Sequence, residues 1–339
     1  MARGTMPNTT QPTGRIGLGC VTFGREIDES TSHAILDHAL DAGIMLLDTA
    51  EAYGGGQARE ARKRANGIDD IREATGELHS SELTLGRWFV SRGNRDRVIL
   101  QTKMLPTLTK DRVLSSIDAS LHRLRAERID IFMFHAYDAN TPLGESLEAL
   151  QVAQRDGKIG AVGCSNFTAG QVREALNLSS RHGLPRLEVI QSNYNLVVRE
   201  IERELLPLCR NESLAVQTYS PLGAGFLTGK YEPDATQLPR GSRFHVLPGH
   251  AGIYFEASKF ELVRQLSELS ARVGISAAKL AIAWVMKNKS VDCVLIGARN
   301  TGHIDQAIDA MKFEFNADWE RELFPPIVEK FVTKETQHA

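Results

Sequence analysis

Four side chains able to hold or move a proton stand at or just beyond the ends of apolar runs. In IMLLDTAEAYGGG, Ile44 to Gly56, a strand-length run ends in Asp48, and Tyr53 follows five residues later in a glycine-rich loop. Lys103 closes VILQTK and His135 closes IDIFMFH. A phenol ionises near pH 10, roughly, so Tyr53 needs a neighbouring cation or a proton relay to act at neutral pH. Lys103 and His135 supply one of each. A carboxylate, an ammonium, a phenol and an imidazole at the carboxyl ends of buried strands are suited to acid–base chemistry on a small molecule. Bland alternatives stay open at this point: Asp48 and Lys103 also fit a buried structural ion pair, and His135 alone fits a core histidine.

The rest of the chain must bring those strand ends together. Its 339 residues are enough for one large barrel or two ordinary domains, and a net charge of −2 with both signs interspersed gives no support for nucleic-acid or membrane attraction. Small-molecule partners are expected. Cys20, Cys164, Cys209 and Cys293 lie far apart, in neither metal-ligand nor disulfide-framework spacing, which fits a reducing cytoplasm. Residues 1–14 form a polar tail without the apolar core of a signal peptide, and no run approaches the ~20 apolar residues that span a bilayer.

From Arg15 onward, short apolar runs alternate with longer amphipathic segments, as repeated βα units do. Strands are expected at 16–20, 45–48, 98–103, 129–135, 159–165, 187–192, 214–219 and 291–296. Eight such units favour a closed (β/α)8 barrel over an open sheet, as one domain over residues 1–339. Val113, Ile117, Leu121 and Leu124 recur at helical spacing, leaving Asp111, Arg112, Asp118 and Arg123 for solvent. Gly43 and Gly157 sit where helix C-caps belong. Further helices are expected at 276–287 and 318–332, the second within a C-terminal helix and tail over 313–339. Residues 56–80 break the rhythm: charge-rich and long, they read as an insertion on the catalytic face, either a solvated excursion or a lid that selects substrate.

Over roughly residues 15–312 the chain resembles the aldo-keto reductase superfamily. The resemblance rests on GLGCVTFG at Gly17, DTAEAYGGG at Asp48, GKIGAVGCSNF at Gly157, QSNYN at Gln191, YSPLGAGFLTGKY at Tyr219 and IGARN at Ile296, in that order. It implies a (β/α)8 barrel that reduces carbonyls with NADPH, in which Asp48, Tyr53, Lys103 and His135 form the catalytic tetrad. Tyr53 would then protonate the carbonyl oxygen, and Lys103 would favour the phenolate by roughly 4 kcal/mol for unit charges 4 Å apart at an effective dielectric of 20. Asp48 would hold the lysine charged, and His135 would orient the carbonyl.

The same resemblance puts Gly19, Cys20 and Val21 against the cofactor, with Asp48 also among the cofactor-binding residues. Ser165, Asn166 and Gln191 would hydrogen-bond the carboxamide, and Tyr219 would stack on the ring. Ser220, Pro221, Leu222 and Gly223 would wrap the pyrophosphate, with Lys230 and Arg243 as basic contacts. Gly297 and Arg299 in IGARN would meet the adenosine end, the guanidinium facing the 2′-phosphate. Where the family often carries a glutamine and an asparagine after that arginine, this chain has His303 and Ala307; His303 stays among the cofactor candidates, with a solvated helix-surface role as its alternative. NADPH is expected over NADH on Arg299, with NADH possible. GAGFLTGK at Gly223 mimics a phosphate loop, but Tyr231 replaces the hydroxyl residue that would bind magnesium. No His-x-His pair supports a metal site.

The expected function is NADP(H)-dependent reduction of an aldehyde, ketone or keto-sugar, with substrate entering over Phe23, Tyr53, Trp88, His135 and Tyr137. The alternative is a cofactor-binding regulatory protein resembling the potassium-channel β subunits, which share fold and tetrad. A barrel isomerase or lyase would require the cofactor-matching segments to be coincidental. Substrate, direction and the choice between monomer and homo-oligomer are not legible in the sequence.

Overall fold

The computed structural model describes residues 14–55, 63, 76–233, 238–239, 242–246 and 248–324. Eight parallel strands close into a barrel in chain order: β1 Ile16–Gly19, β2 Leu46–Asp48, β3 Ile99–Met104, β4 Ile129–Phe134, β5 Ile159–Ser165, β6 Val189–Asn193, β7 Ala215–Tyr219 and β8 Cys293–Gly297. Closure is made by β1 against β8, with Ile16 beside Val294 and Gly19 beside Gly297. Every expected strand is present to within two residues at each end.

Helices follow the strands and cover the barrel: α1 Glu29–Asp41, α2 Ser80–Arg92, α3 Lys110–Leu124, α4 Leu143–Arg155, α5 Ala169–His182, α6 Leu205–Asn211, the short α7 Arg243–Val246, α8 Ala257–Val273, α9 Ala277–Lys287, α10 Thr301–Met311 and α11 Ala317–Leu323. Gly43 and Gly157 adopt left-handed backbone just after α1 and α4 (φ +83° and +75°), where a side chain would be strained. Ser276 caps α9, accepting from the Lys279 amide. No single helix among the described residues is long and apolar enough to cross a membrane; α8 and α9 pass only as a pair bent by 105°.

Two buried cores result from the alternation of strand side chains. Outward residues such as Leu18, Leu100, Phe132, Val162 and Ile190 pack under the helices. Inward ones, including Leu46, Ile99, Ile131, Ala161, Val189, Ala215 and Cys293, plug the barrel. Continuing the same period of two toward the strand ends brings Asp48, Gln101, Lys103, Gln191, Gln217 and Tyr219 onto the inner face. The apolar plug therefore supports a polar layer directly above it.

One expectation needs revision. Arg112 and Arg123 on α3 are not simply solvated, because each reaches a buried carboxylate: Arg112 pairs with Glu51 at 2.8 Å and Arg123 with Glu82 at 2.5 Å. The last described helix ends at Leu323 with Phe324 as its C-cap, and the rest of the expected 318–332 helix lies outside the described residues. So do residues 56–62 and 64–75 of the 56–80 insertion and residues 1–13 of the N-terminal tail.

Close helix contact depends on one glycine. A Cβ on Gly86 of α2 would stand inside van der Waals distance of the Arg123 carbonyl oxygen and 2.9 Å from the Leu124 carbonyl carbon on α3. Gly86→Ala is therefore expected to cost about 1–3 kcal/mol through overpacking. Gly144→Ala, in open space on α4, should leave thermal unfolding unchanged or raise it slightly. Equal midpoints for the two variants would contradict the tight α2–α3 crossing.

Candidate active site

Lys103 ends the inward series of β3 and is entirely without solvent exposure. Its Nζ donates to Asp48 Oδ1 at 2.7 Å and to the Thr49 carbonyl at 2.9 Å. Burial pulls the ammonium toward its neutral form, and Asp48 and Tyr53 more than reverse that, leaving its pKa above the ordinary lysine value. Asp48 Oδ1 also accepts from Gln101 Nε2 at 2.5 Å and from Gln191 Nε2 at 3.1 Å. Gln101 and Gln217 close a reciprocal amide pair across the barrel, at 2.8 and 2.9 Å.

Tyr53 stands above this layer, its ring centroid 5.1 Å from Lys103 Nζ and 5.6 Å from the His135 ring, which it meets edge-on. Burial raises the phenol pKa, and Lys103 works against that rise. The His135 imidazole is pushed down to about 4 by burial and by the Lys103 charge, and so stays neutral at physiological pH. Among the described residues its Nδ1 is buried without a hydrogen-bond partner.

The loop carrying Tyr53 is anchored by Glu51, two residues before it. That carboxylate accepts from the Leu105 amide, Arg112 and Ser116, tying the loop to β3 and α3. The Glu51 carbonyl meets the His79 imidazole, and a Cβ on Gly54 would stand 2.5 Å from the His79 nitrogen. Only glycine lets the loop run this close to the start of α2.

The cofactor candidates ring the same barrel mouth. Asn166, with φ +61°, donates to the His135 carbonyl at 3.0 Å and accepts from the Tyr219 hydroxyl at 2.7 Å, bridging β4, β5 and β7. Ser165 is buried beside it, 3.1 Å from the Asn166 amide. Ser220, Gly223, Ala224 and Gly225 all have positive φ, giving a tight turn after β7 in which the pattern resembling a phosphate loop is a 3₁₀ segment, Gly223–Thr228. Pro221 is buried and Leu222 half-buried at its start.

Beyond this turn, Arg243 on α7 pairs with Glu26 at 2.8 Å, and Arg299 lies 3.7 Å from the same carboxyl group. Lys230 Nζ lies over Gly225, close enough that a Cβ there would meet it at 2.7 Å. Gly297 is exposed and Gly19 and Val21 are partly exposed beside it at the barrel rim, while Cys20 is buried.

The aldo/keto reductase family model matches residues 15–322. The chain belongs to this family. It is 29% identical over 327 residues to "Aldo-keto reductase YhdN" of Bacillus subtilis, covering 91% of this chain and 88% of the relative. It is 31% identical to a "Probable voltage-gated potassium channel subunit beta" of Arabidopsis thaliana, covering 86% and 85%. It is 30% identical to "Aflatoxin B1 aldehyde reductase member 2" of Rattus norvegicus, covering 93% and 82%.

Within this aldo/keto reductase barrel, several expected positions are corrected. Trp88 has no exposed surface; its Nε1 donates to Asp37 on α1 at 2.7 Å, so it joins two helices and lines no substrate face. Phe23 is likewise fully buried in the outer core. Tyr137 packs edge-on against Phe167 and its hydroxyl reaches Glu174 on α5. Gln191 directs its amide inward to Asp48 and Gln217, which leaves only its carbonyl oxygen for a ligand. His303 turns its Nδ1 to the Arg299 amide at 3.2 Å, so it shapes the Arg299 turn from the helix start, and Ala307 is buried.

Gln101, Gln217, Glu51 and Glu26 were not singled out by sequence reasoning. For Gln101 and Gln217 the signal existed: each lies two residues before a site residue on the same strand face, Lys103 and Tyr219.

The His135 environment gives a pH prediction. Because the fold favours neutral imidazole, its contribution to stability is complete above about pH 6.5 and declines as pH falls toward about 4. Imidazole resonances followed by NMR should show His135 titrating near 4. A midpoint near 6.5 would contradict the buried, lysine-facing placement.

Proposed function

We infer that the chain is an NADP(H)-dependent reductase of an aldehyde, ketone or keto-sugar carbonyl, with Tyr53 as the general acid. The observation that carries this reading is the phenol of Tyr53 standing between a buried, charged Lys103 and a neutral His135. A structural ion pair would need no phenol above it.

The residues at the barrel mouth suit a dinucleotide phosphate. Arg25, Lys230, Arg243 and Arg299 bring four cations to one region around the carboxylate of Glu26, and among the described residues Arg25 Nε is buried with no hydrogen-bond partner. The positive-φ turn at Ser220–Gly225 lets backbone approach a ligand closely. Ser165 and Asn166 would hold the carboxamide, with the Gln191 carbonyl oxygen as a further acceptor. Tyr219, Ser220, Pro221, Leu222 and Gly223 would line the ring and pyrophosphate, with Gly19, Cys20, Val21 and Gly297 as small neighbours. Lys230, Arg243 and Arg299 would meet the phosphates, and His303 would position the Arg299 turn.

When bound, the reduced nicotinamide supplies hydride to the carbonyl carbon. Negative charge then grows on the carbonyl oxygen, where Tyr53 delivers its proton as the C–O bond becomes an alcohol. Lys103 stabilises the phenolate left behind, and Asp48 keeps that ammonium charged. Neutral His135 donates a hydrogen bond to the substrate oxygen, orienting it without adding a second positive charge. In the oxidative direction the same phenolate would accept the alcohol proton. Membership of a family that includes a protein named as a channel subunit keeps a cofactor-binding regulatory role as the competing reading.

Tyr53→Phe should reduce NADPH-dependent carbonyl turnover by about 100-fold or more, the scale of a lost general acid, with NADPH affinity within about twofold of the parent. Loss of both would mean that Tyr53 is structural. Arg299→Ala should weaken NADPH at least about tenfold and NADH little, measured by fluorescence titration. An equal loss for both dinucleotides would defeat the 2′-phosphate assignment.

A further inference from the structure

Glu26 lies in the turn between β1 and α1 and is surrounded by cations from three parts of the chain. Its Oε1 accepts from Arg25 at 2.6 Å and from Arg243 at 2.8 Å, and its Oε2 lies 3.7 Å from Arg299 Nη1. The side chain is only 9% exposed, so this carboxylate is fixed in the cluster. Burial would raise its pKa, and Arg25, Arg243 and Arg299 overcome that to hold it at about 2. It is therefore ionised at any pH at which the protein would be studied.

A fixed carboxylate treats the two dinucleotides differently. A ribose 2′-hydroxyl can donate a hydrogen bond to it, whereas a 2′-phosphate must compete with it for the same guanidinium forks and meets like charge. Arg243 and Arg299 are the arginines assigned above to phosphate contacts, and both already share Glu26. These two arginines, like Arg25, are thus partly neutralised before any cofactor arrives.

We propose that Glu26 is a specificity-determining residue that disfavours the 2′-phosphate of NADPH and accepts the 2′-hydroxyl of NADH, narrowing the chain's preference between them. This rests on the assignment of Arg299 to the adenosine 2′ position. Glu26 touches no reacting atom in this account; it acts through the arginines and the ribose. Its influence belongs to binding, so the test does not need turnover.

The test is fluorescence titration of the full chain with NADPH and NADH, with adenosine 2′,5′-bisphosphate and 5′-AMP as displacing probes that lack the nicotinamide. In Glu26→Gln, the ratio of NADH to NADPH dissociation constants should rise about tenfold, and the bisphosphate should gain over AMP by a similar factor. Glu26→Asp retains the charge and should stay nearer the parent ratio. Because Glu26→Gln leaves buried Arg25 without its carboxylate, the double variant R25M/E26Q is measured in parallel and should shift the ratio in the same direction. Parent-like ratios in E26Q and the double variant, with NADPH still bound, would overturn the role of Glu26 and leave the reductase reading standing. Failure of the parent protein to bind either dinucleotide would overturn both.

Discussion

A lysine ammonium with no solvent around it is the constraint on which the site depends. Removing such an ion from water costs several kcal/mol, roughly, even after relaxation, so Lys103 can remain charged only with Asp48 and the Thr49 carbonyl against it. Asp48 in turn is held by Gln101 and Gln191, and Gln101 is locked to Gln217 on the opposite wall. This sequence of contacts joins β2, β3, β6 and β7. Only a closed sheet brings all four to one axis, so the chemistry of one lysine requires the barrel. Tyr53 then sits over a cation whose position is determined from below.

Most of the barrel was legible because a buried strand of a parallel sheet has a simple signature, a short apolar run followed by a helical period. That signature located all eight strands, and a polar residue closing such a run marked Asp48, Lys103 and His135 as neighbours. Side-chain direction was less legible. Trp88 and Phe23 are aromatic and lie in segments near the site, but their rings turn into the outer core, where packing against α1 and the helix layer decides their orientation. Arg112 and Arg123 stand on the polar stripe of α3, yet long side chains let them satisfy carboxylates buried beneath neighbouring segments. Glu26 could not be distinguished from any surface glutamate until α7 and the turn before α10 were placed beside it.

The fold alone does not choose between activities. Relatives of similar identity carry names as different as an aldehyde reductase and a channel subunit, so function has to be argued from the site. Here the site divides into a buried polar layer at the barrel axis, around Lys103 and Asp48, and a cationic cluster at its rim. The first is buried and apolar beneath; the second is held together by Glu26 and lies beside a turn with four successive or near-successive positive φ angles. On the proposed reading, chemistry and cofactor choice are set by different residues and would be altered separately.

In the proposed reaction Tyr53, poised over Lys103, delivers the proton. Rapid mixing of the NADPH-loaded protein with an activated aromatic aldehyde, followed by NADPH absorbance across pH, tests it most directly. One NADPH consumed per alcohol formed is predicted, at a rate that is level through neutral pH and falls only above the ordinary phenol range, because burial raises the Tyr53 pKa. Tight NADPH binding without consumption, or a rate governed by a group titrating near pH 6.5, roughly the ordinary histidine value, would contradict the account.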